Sequence, residues 1–321
     1  MRRLLVFAVL AALLAAAAWY GEQWNYLRPG PSEKGTVVLV KPGEGSAGIA
    51  QQLQRAGVIA NANLFRLGLR LRNQQSQLKA GEYWFPAHAS LASVAGILIS
   101  GKSIEYKLTA AEGLTSEMIY RLVEADTVLV GDAGPVPQEG TLLPETYLFT
   151  RGTTRAALLQ EMHQAQQKFL AAHWASRAGG LPVSSPRQAV ILASVVEKET
   201  SIPEERRHIA SVFENRLKQG IKLESDPTII YGLTRGYPLG RGIRESELTR
   251  ATPYNTYVIA GLPPTPICNP GKDAIAAVLD PEQTSDLYFV ANGTGGHSFT
   301  SNFAEHQKNV ARLRQIEKGH H

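Results

Sequence analysis

A single cysteine, Cys268, stands in a chain of 321 residues. That excludes an intrachain disulfide framework and any zinc site built on thiolates. Charge is scarce as well: 19% of residues are charged against 44% apolar, a balance that fits a globular protein and excludes a disordered one. The net charge is +5, and beyond the N-terminus the basic residues are scattered. With no Lys/Arg stripe interleaved with aromatics, nucleic acid is not expected as a partner. No HExxH or similar ligand spacing occurs, so no metal or other cofactor is expected. The length allows two domains, or three, each with its own core.

One long apolar run is present. Met1-Arg-Arg3 precedes 17 uncharged residues, Leu4 to Tyr20, rich in Ala and Leu. This is at the low end for a bilayer span and long for a signal-peptide core. Trp19, Tyr20, Trp24 and Tyr26 suit an interfacial belt, and the N-terminal arginines place that end in the cytoplasm. The expectation is an uncleaved single-pass anchor over residues 1–26, with the remaining chain outside the cytoplasmic membrane; the alternative is a cleaved signal peptide.

The Pro/Gly/charged stretch 27–35 reads as a linker. Thr36–Val40 reads as a strand, then helices over about 46–56 (capped by Ser46) and 61–72, a strand at 81–86 and a helix at 90–100. Strand 105–109, an acid–Gly turn and a helix from Ser116 repeat the pattern weakly. Residues 36–130 are therefore expected to form one small binding or positioning domain. The Gly/Pro loop 131–140 marks a boundary, and residues 131–321 form the second domain. In it we expect a long helix over 154–178, a central helix opened by Ser184 or Ser185 with Pro186, and a helix to Gln219 opened by a Ser201/Glu204 capping box. A stiff Pro-rich loop follows at 261–271, then a short helix at 274–279, a strand at 287–291 and a terminal helix over 303–317. The fold class is α+β.

The central helix carries the chemistry. From Ala189 to Val196 every residue but Ser194 is apolar, and at about 100° per residue these side chains surround the helix, which must be buried. It ends in Glu197-Lys-Glu199, whose two acids lie roughly 200° apart and face nearly opposite sides. A carboxyl at the end of a buried helix is desolvated, which favours its neutral form and suits general-acid work on a glycosidic bond. A solvated helix terminus is the bland alternative.

Further along come Val212-Phe-Glu-Asn-Arg216-Leu, Ser225-Asp-Pro-Thr228-Ile-Ile-Tyr-Gly232 and Thr252-Pro-Tyr-Asn-Thr-Tyr257. Gly261-Leu-Pro-Pro264, Asn269-Pro-Gly271, Leu287-Tyr-Phe-Val-Ala291 and Gly295-Gly-His297 follow in order. With Val196-Glu-Lys-Glu-Thr200 ahead of them, this chain resembles the YceG-like family of endolytic murein transglycosylases over nearly its whole length. Glu224 and Thr265 depart from the Gln and Gly common in that family.

The resemblance implies a single-pass inner-membrane protein with a small LysM-like N-terminal domain and a larger mixed α+β catalytic domain in the periplasm. Its substrate would be peptidoglycan glycan strands, cut at the MurNAc–GlcNAc bond to leave 1,6-anhydroMurNAc ends, which implies a role in ending strand growth beside peptidoglycan synthases (penicillin-binding proteins). It also implies the first glutamate, Glu197, as catalytic acid, with Glu199 the runner-up and Asp226 a supporting acid. Ser225, Thr228, Asn255, Thr256 and Asn269 could bind sugar hydroxyls, and Tyr254 and Tyr257 could lie against sugar faces. For each of these a cap or core role is the alternative. His297 reads as a hydrogen-bonding residue near the groove or a structural one, and Cys268 as a buried structural thiol. A non-catalytic peptidoglycan-binding scaffold and a hydrolytic muramidase are the competing functions.

Overall fold

The computed structural model describes residues 2–319. Helix α1, Arg2–Leu27, opens the chain; its most apolar 18-residue window has mean hydropathy 2.2 and is unburied. It is long and apolar enough to cross a membrane. The chain forms two compact units: one, which includes α1, comprises Met1–Tyr106 with Leu148–Thr153, the other Lys107–Tyr147 with Thr154–His321.

In the first unit strands β1 (Thr36–Val40) and β2 (Gly81–Phe85) pair antiparallel, from Thr36 opposite Phe85 to Val40 opposite Gly81. Between them lie helices α2 (Ser46–Arg55) and α3 (Ala62–Leu71), and α4 (Leu91–Ser100) follows. Val38 and Val40 face inward while Val37 is exposed, the alternation of a one-sided sheet. Asn61 caps α3 by accepting from the Asn63 and Leu64 amides, whereas Ser46 is the first helical residue of α2 and makes no cap. The core joins Leu53, Phe65, Leu69, Tyr83, Phe85 and Leu98, and Tyr26 at the end of α1 belongs to it, 4% exposed.

The expected linker 27–35 is tied down. Gly30 N–H donates to His88 O at 3.1 Å and His88 N–H to Ser32 O at 2.8 Å. A Cβ on Gly30 would collide with the Ala89 carbonyl. Arg72 reaches back to α1, with Nη1 at 2.8 Å from Glu22 Oε1 and its guanidinium 3.7 Å from the centre of the Tyr26 ring.

Strands β3 (Glu105–Thr109) and β4 (Thr146–Thr150) form a second two-stranded sheet, and α5 spans Ser116–Ala125. The chain divides inside β3 and not at the Gly/Pro loop. The reason is that the strand–turn–helix segment commits its polar groups to the larger unit: Gly113 N–H donates to Asn269 O at 3.1 Å and Ser116 N–H to Glu139 Oε1 at 2.8 Å.

The larger unit packs α6 (Arg155–Ala175), α8 (Arg206–Lys218), α9 (Asp226–Thr234) and α11 (Lys272–Leu279) around α7 (Pro186–Glu199), with the short α10 (Glu245–Leu248) in a loop. Every residue of α7 from Ala189 to Val196 is at most 6% exposed except that Ser194, also buried, is polar. Ser194 Oγ donates to Ile191 O at 2.7 Å and accepts from Ile267 N–H at 3.0 Å, fastening the Pro-rich loop to the helix. Ser185 caps α7 through the Gln188 amide at 3.2 Å. The Ser201/Glu204 box does not form: Thr200 Oγ1 takes the Ile202 amide at 3.0 Å, and Pro203–Glu205 make a 3-10 turn before α8. Strands β5 (Tyr288–Ala291) and β6 (His297–Thr300) make an antiparallel hairpin, and α12 (Phe303–Gly319) ends the description.

Candidate active site

The two glutamates at the end of α7 enter different surroundings, as their phase requires. Glu197 turns toward the start of α11, where Oε2 accepts from Gly271 N–H at 2.9 Å. Burial raises its pKa; that hydrogen bond opposes the rise, the Glu112 charge adds to it, and Arg206 and Lys198 oppose it. Arg206 in turn lies 3.3 Å from Asp273 and 3.7 Å from Glu112. A Cβ on Gly271 would meet the Glu112 carboxyl, which would have to move aside. A carboxylate beside a helix N-terminus is electrostatically favourable, so Glu197 is well suited to holding α11 in place.

Glu199 turns the other way, into a cleft of about 450 Å³ lined also by Arg216, Glu224, Asp226, Tyr257, Phe289 and His306. Its Oε1 accepts from Ser225 Oγ in a short hydrogen bond. Burial pushes the Glu199 carboxyl up to about 7; the Ser225 bond holds it back, the Asp226 charge adds to the rise, and Arg216 opposes it. A carboxyl poised near neutrality, and open to a polar cleft, can be an acid in one step and a base in the next.

The surrounding polar residues mostly build this wall. Ser225 is the N-cap residue of α9, yet its hydroxyl goes to Glu199 and not to the helix. Its amide donates to Thr256 Oγ1 at 2.9 Å, Thr228 Oγ1 donates to Ser225 O at 2.6 Å, and the two threonine hydroxyls lie 2.9 Å apart. Asn255 Nδ2 donates to Glu247 O, Leu248 O and Arg250 O at 2.8–3.1 Å, while its Oδ1 accepts from the Tyr257 amide. Thr228, Asn255, Thr256 and Asn269 are at most 1% exposed. Their groups are committed internally, which corrects the expectation that they meet sugar directly. Asn269 accepts from Leu142 N–H at 2.9 Å and donates to Leu114 O at 3.1 Å, pinning the Pro-rich loop to the segment before β4.

Tyr257 and Asp226 do reach the cleft, the phenol donating to Asp226 Oδ1 at 2.7 Å. Tyr254 does not line it: its ring packs on Tyr231 at 4.9 Å between centroids and its hydroxyl lies 2.8 Å from Thr265 Oγ1. His297 is likewise outside, paired with Glu205 at 2.6 Å through Nδ1, an arrangement that joins the hairpin to the start of α8. Cys268 is fully buried, and burial pushes its thiol pKa up, so it is held as the unreactive thiol.

Three further cleft residues were not assigned to the site from sequence. Arg216 is buried and fans its guanidinium over Leu287 O at 2.6 Å, Lys222 O and Leu223 O at 3.0 Å, and Glu224 Oε2 at 3.1 Å. Glu224 has φ +53°, a left-handed conformation that costs a non-glycine residue about 1 kcal/mol or more and is held here by its neighbours. His306 has a buried, unpartnered Nδ1, and burial followed by the Arg216 charge lowers its pKa. The signal for Arg216 was its place in the Phe-Glu-Asn-Arg segment and that for Glu224 its departure from the Gln common in the family; nothing local in sequence placed His306 in the cleft.

An endolytic murein transglycosylase of Streptococcus pneumoniae is 29% identical over 358 aligned positions, covering 95% of this chain and 64% of that protein. The chain thus spans a little under two thirds of the length of that relative. One from Bacillus subtilis is 28% identical, covering 92% of this chain and 89% of that protein. The crystal structure of a yceG-like protein from Listeria monocytogenes superposes with a TM-score of 0.52 at 27% identity, over 86% of this chain and 99% of that one. The sequence profile of the YceG-like family matches residues 38–312, so the chain belongs to the YceG-like family.

Proposed function

We propose that this protein is an endolytic murein transglycosylase in which Glu199 is the acid and base. The observation that carries this is the Glu199 carboxyl, poised near neutrality in the polar cleft and oriented by Ser225. In the first step the protonated Glu199 gives its proton to the oxygen of the MurNAc–GlcNAc bond, which breaks through an oxocarbenium-like transition state. The resulting carboxylate then takes the proton of the C6 hydroxyl of the same MurNAc as that oxygen closes on C1. The 1,6-anhydro ring forms, the proton returns to Glu199, and no water is consumed. The attack is intramolecular, so positioning replaces a bimolecular encounter. Asp226, held by Tyr257, keeps negative charge beside the site and so supports the high Glu199 pKa.

Glu197 is the second candidate acid, because burial and Glu112 raise its pKa as well. Against it stand its bond to Gly271 and its position away from the cleft residues. The N-terminal strand–helix–helix–strand order of β1, α2, α3 and β2 supports a LysM-like glycan-binding role, and α1 supports a single-pass inner-membrane anchor with the catalytic unit in the periplasm. Cutting nascent strands there would end their elongation near the synthases.

The test is to incubate wild type, Glu199→Gln and Glu197→Gln with uncrosslinked glycan strands and analyse the products by mass spectrometry. Anhydro ends from wild type and Glu197→Gln, with none from Glu199→Gln, support the assignment. The reverse pattern moves the role to Glu197. Reducing ends would mean a muramidase, and bound but uncut strands a scaffold.

A further inference from the structure

The way α1 joins the first unit sets where that unit meets lipid, an inference that rests on α1 being a membrane anchor. The apolar run ends at Tyr20, and the helix continues without a break to Leu27. At about 1.5 Å per residue, Glu22 lies roughly 3 Å past the end of that run and Tyr26 roughly 9 Å past it. A headgroup layer is about 5–8 Å deep on each side of the hydrocarbon. Glu22 is therefore at headgroup depth, and so is whatever is fastened to it.

What is fastened to it is the end of α3. Arg72 Nη1 is 2.8 Å from Glu22 Oε1, and Arg72 Nη2 donates to Gln23 Oε1 at 2.9 Å. Gly68, one turn earlier, lies directly against the Tyr26 ring, while Asn61 and Leu64 border the same hollow as Asn25 and Arg28. Helix α3 thus runs antiparallel to α1, with its C-terminal end toward the bilayer. That end carries Leu67 and Leu71, 43% and 49% exposed, one turn apart on the strip beside Gly68. Arg70 is exposed and has no carboxylate partner among the described residues. The chain then turns through Asn73-Gln-Gln-Ser-Gln77, polar and uncharged.

We propose that the C-terminal end of α3 and the turn at 73–77 lie in the headgroup layer of the membrane that α1 crosses. Leu71 sits at the apolar edge, and Arg70 pairs with anionic phospholipid. Apolar contact and a cation at the surface are the two terms that hold peripheral elements on anionic bilayers. The first unit is then a fixture of the membrane surface, unable to lift away on a tether.

The experiment uses the full chain in vesicles of phosphatidylethanolamine and phosphatidylglycerol, with a nitroxide attached at Leu14→Cys, Leu71→Cys or Gln75→Cys; the native thiol is buried and stays unlabelled. Collision with a water-soluble nickel chelate is compared with collision with oxygen. The expected result is a hydrocarbon signature at position 14 and strong shielding from nickel at 71 and 75, with shielding at 75 lost in Arg70→Glu. Water exposure at 71 and 75 with position 14 in hydrocarbon overturns the surface contact and leaves the anchor standing. Water exposure at all three overturns both.

Discussion

Glu199→Gln changes one ionisable oxygen for an amide nitrogen of the same shape and leaves a carbonyl to accept from Ser225. In the native protein burial raises the Glu199 carboxyl from 4.5 to about 7. Between those values the folded chain keeps a proton that the unfolded chain has released, so stability is full below about pH 4.5 and falls as pH rises through about 7. A gap of about 2.5 pKa units at about 1.4 kcal/mol each makes the ionised group cost the folded state about 3 kcal/mol at alkaline pH. The amide carries no such cost. Glu199→Gln should therefore match wild type near pH 4.5 and unfold at a temperature about 6–12 °C higher at pH 8.5. Over the same substitution, formation of anhydro ends should fall about 10²- to 10⁴-fold, the usual contribution of a positioned acid. Intrinsic fluorescence during heating, across pH 4.5–8.5, reads the first effect. Other groups that titrate in this window are common to both proteins and cancel in the difference. A thermal gap that does not widen with pH would refute the claim that Glu199 is held protonated by its surroundings.

Glu214 separates stability from chemistry. It is 1% exposed, neither carboxyl oxygen has a hydrogen-bond partner, Lys218 lies 3.7 Å away, and burial pushes its pKa up to about 7. Glu214→Leu should stabilise the protein by about 1–3 kcal/mol at pH 8 in urea unfolding, with transglycosylation unchanged. Ser225→Ala removes a bond that favours the ionised Glu199, so the alkaline limb of kcat/KM should move to higher pH while its plateau drops. Asn269→Ala leaves the buried Leu142 amide unpaired, while the Leu114 carbonyl keeps the backbone N–H of residue 269 at 2.8 Å. It should cost about 1–3 kcal/mol by urea denaturation.

Periodicity made the elements legible and left their partners hidden. A run from Ala189 to Val196 that is apolar but for Ser194 reads as a helix buried on all sides, and Ser185-Pro186 marks where it starts. The same reasoning placed β1, α3, α11 and β5 closely, because their patterns are local. The expected boundary near residue 130 rested on a Gly/Pro loop, but what decides a division is where backbone groups find partners, and Gly113 and Ser116 find theirs across more than a hundred residues or through Glu139. Likewise Thr228, Asn255, Thr256 and Asn269 were legible as a polar cluster. Whether such a group faces a ligand or its neighbours depends on long-range hydrogen bonds that no local pattern records.

The choice between Glu197 and Glu199 turns on the same distinction. Helical phase alone says that the two acids face opposite ways, and it assigns neither to a cleft. Emergence from a buried helix desolvates both, so burial does not discriminate between them either. What discriminates is the company each meets. Glu197 meets a backbone amide and lies near the charges of Glu112 and Arg206, the latter paired with Asp273. Glu199 meets a serine hydroxyl at the head of α9, a second carboxylate whose charge adds to the effect of burial in raising its pKa, and a cleft of about 450 Å³. Ser225 forgoes capping its own helix to make that bond, which is a local sacrifice of stability at the one point where orientation of an acid has a use. If Glu197→Gln nevertheless abolishes strand cleavage while leaving the pH dependence of unfolding intact, the cleft is not where the bond is broken.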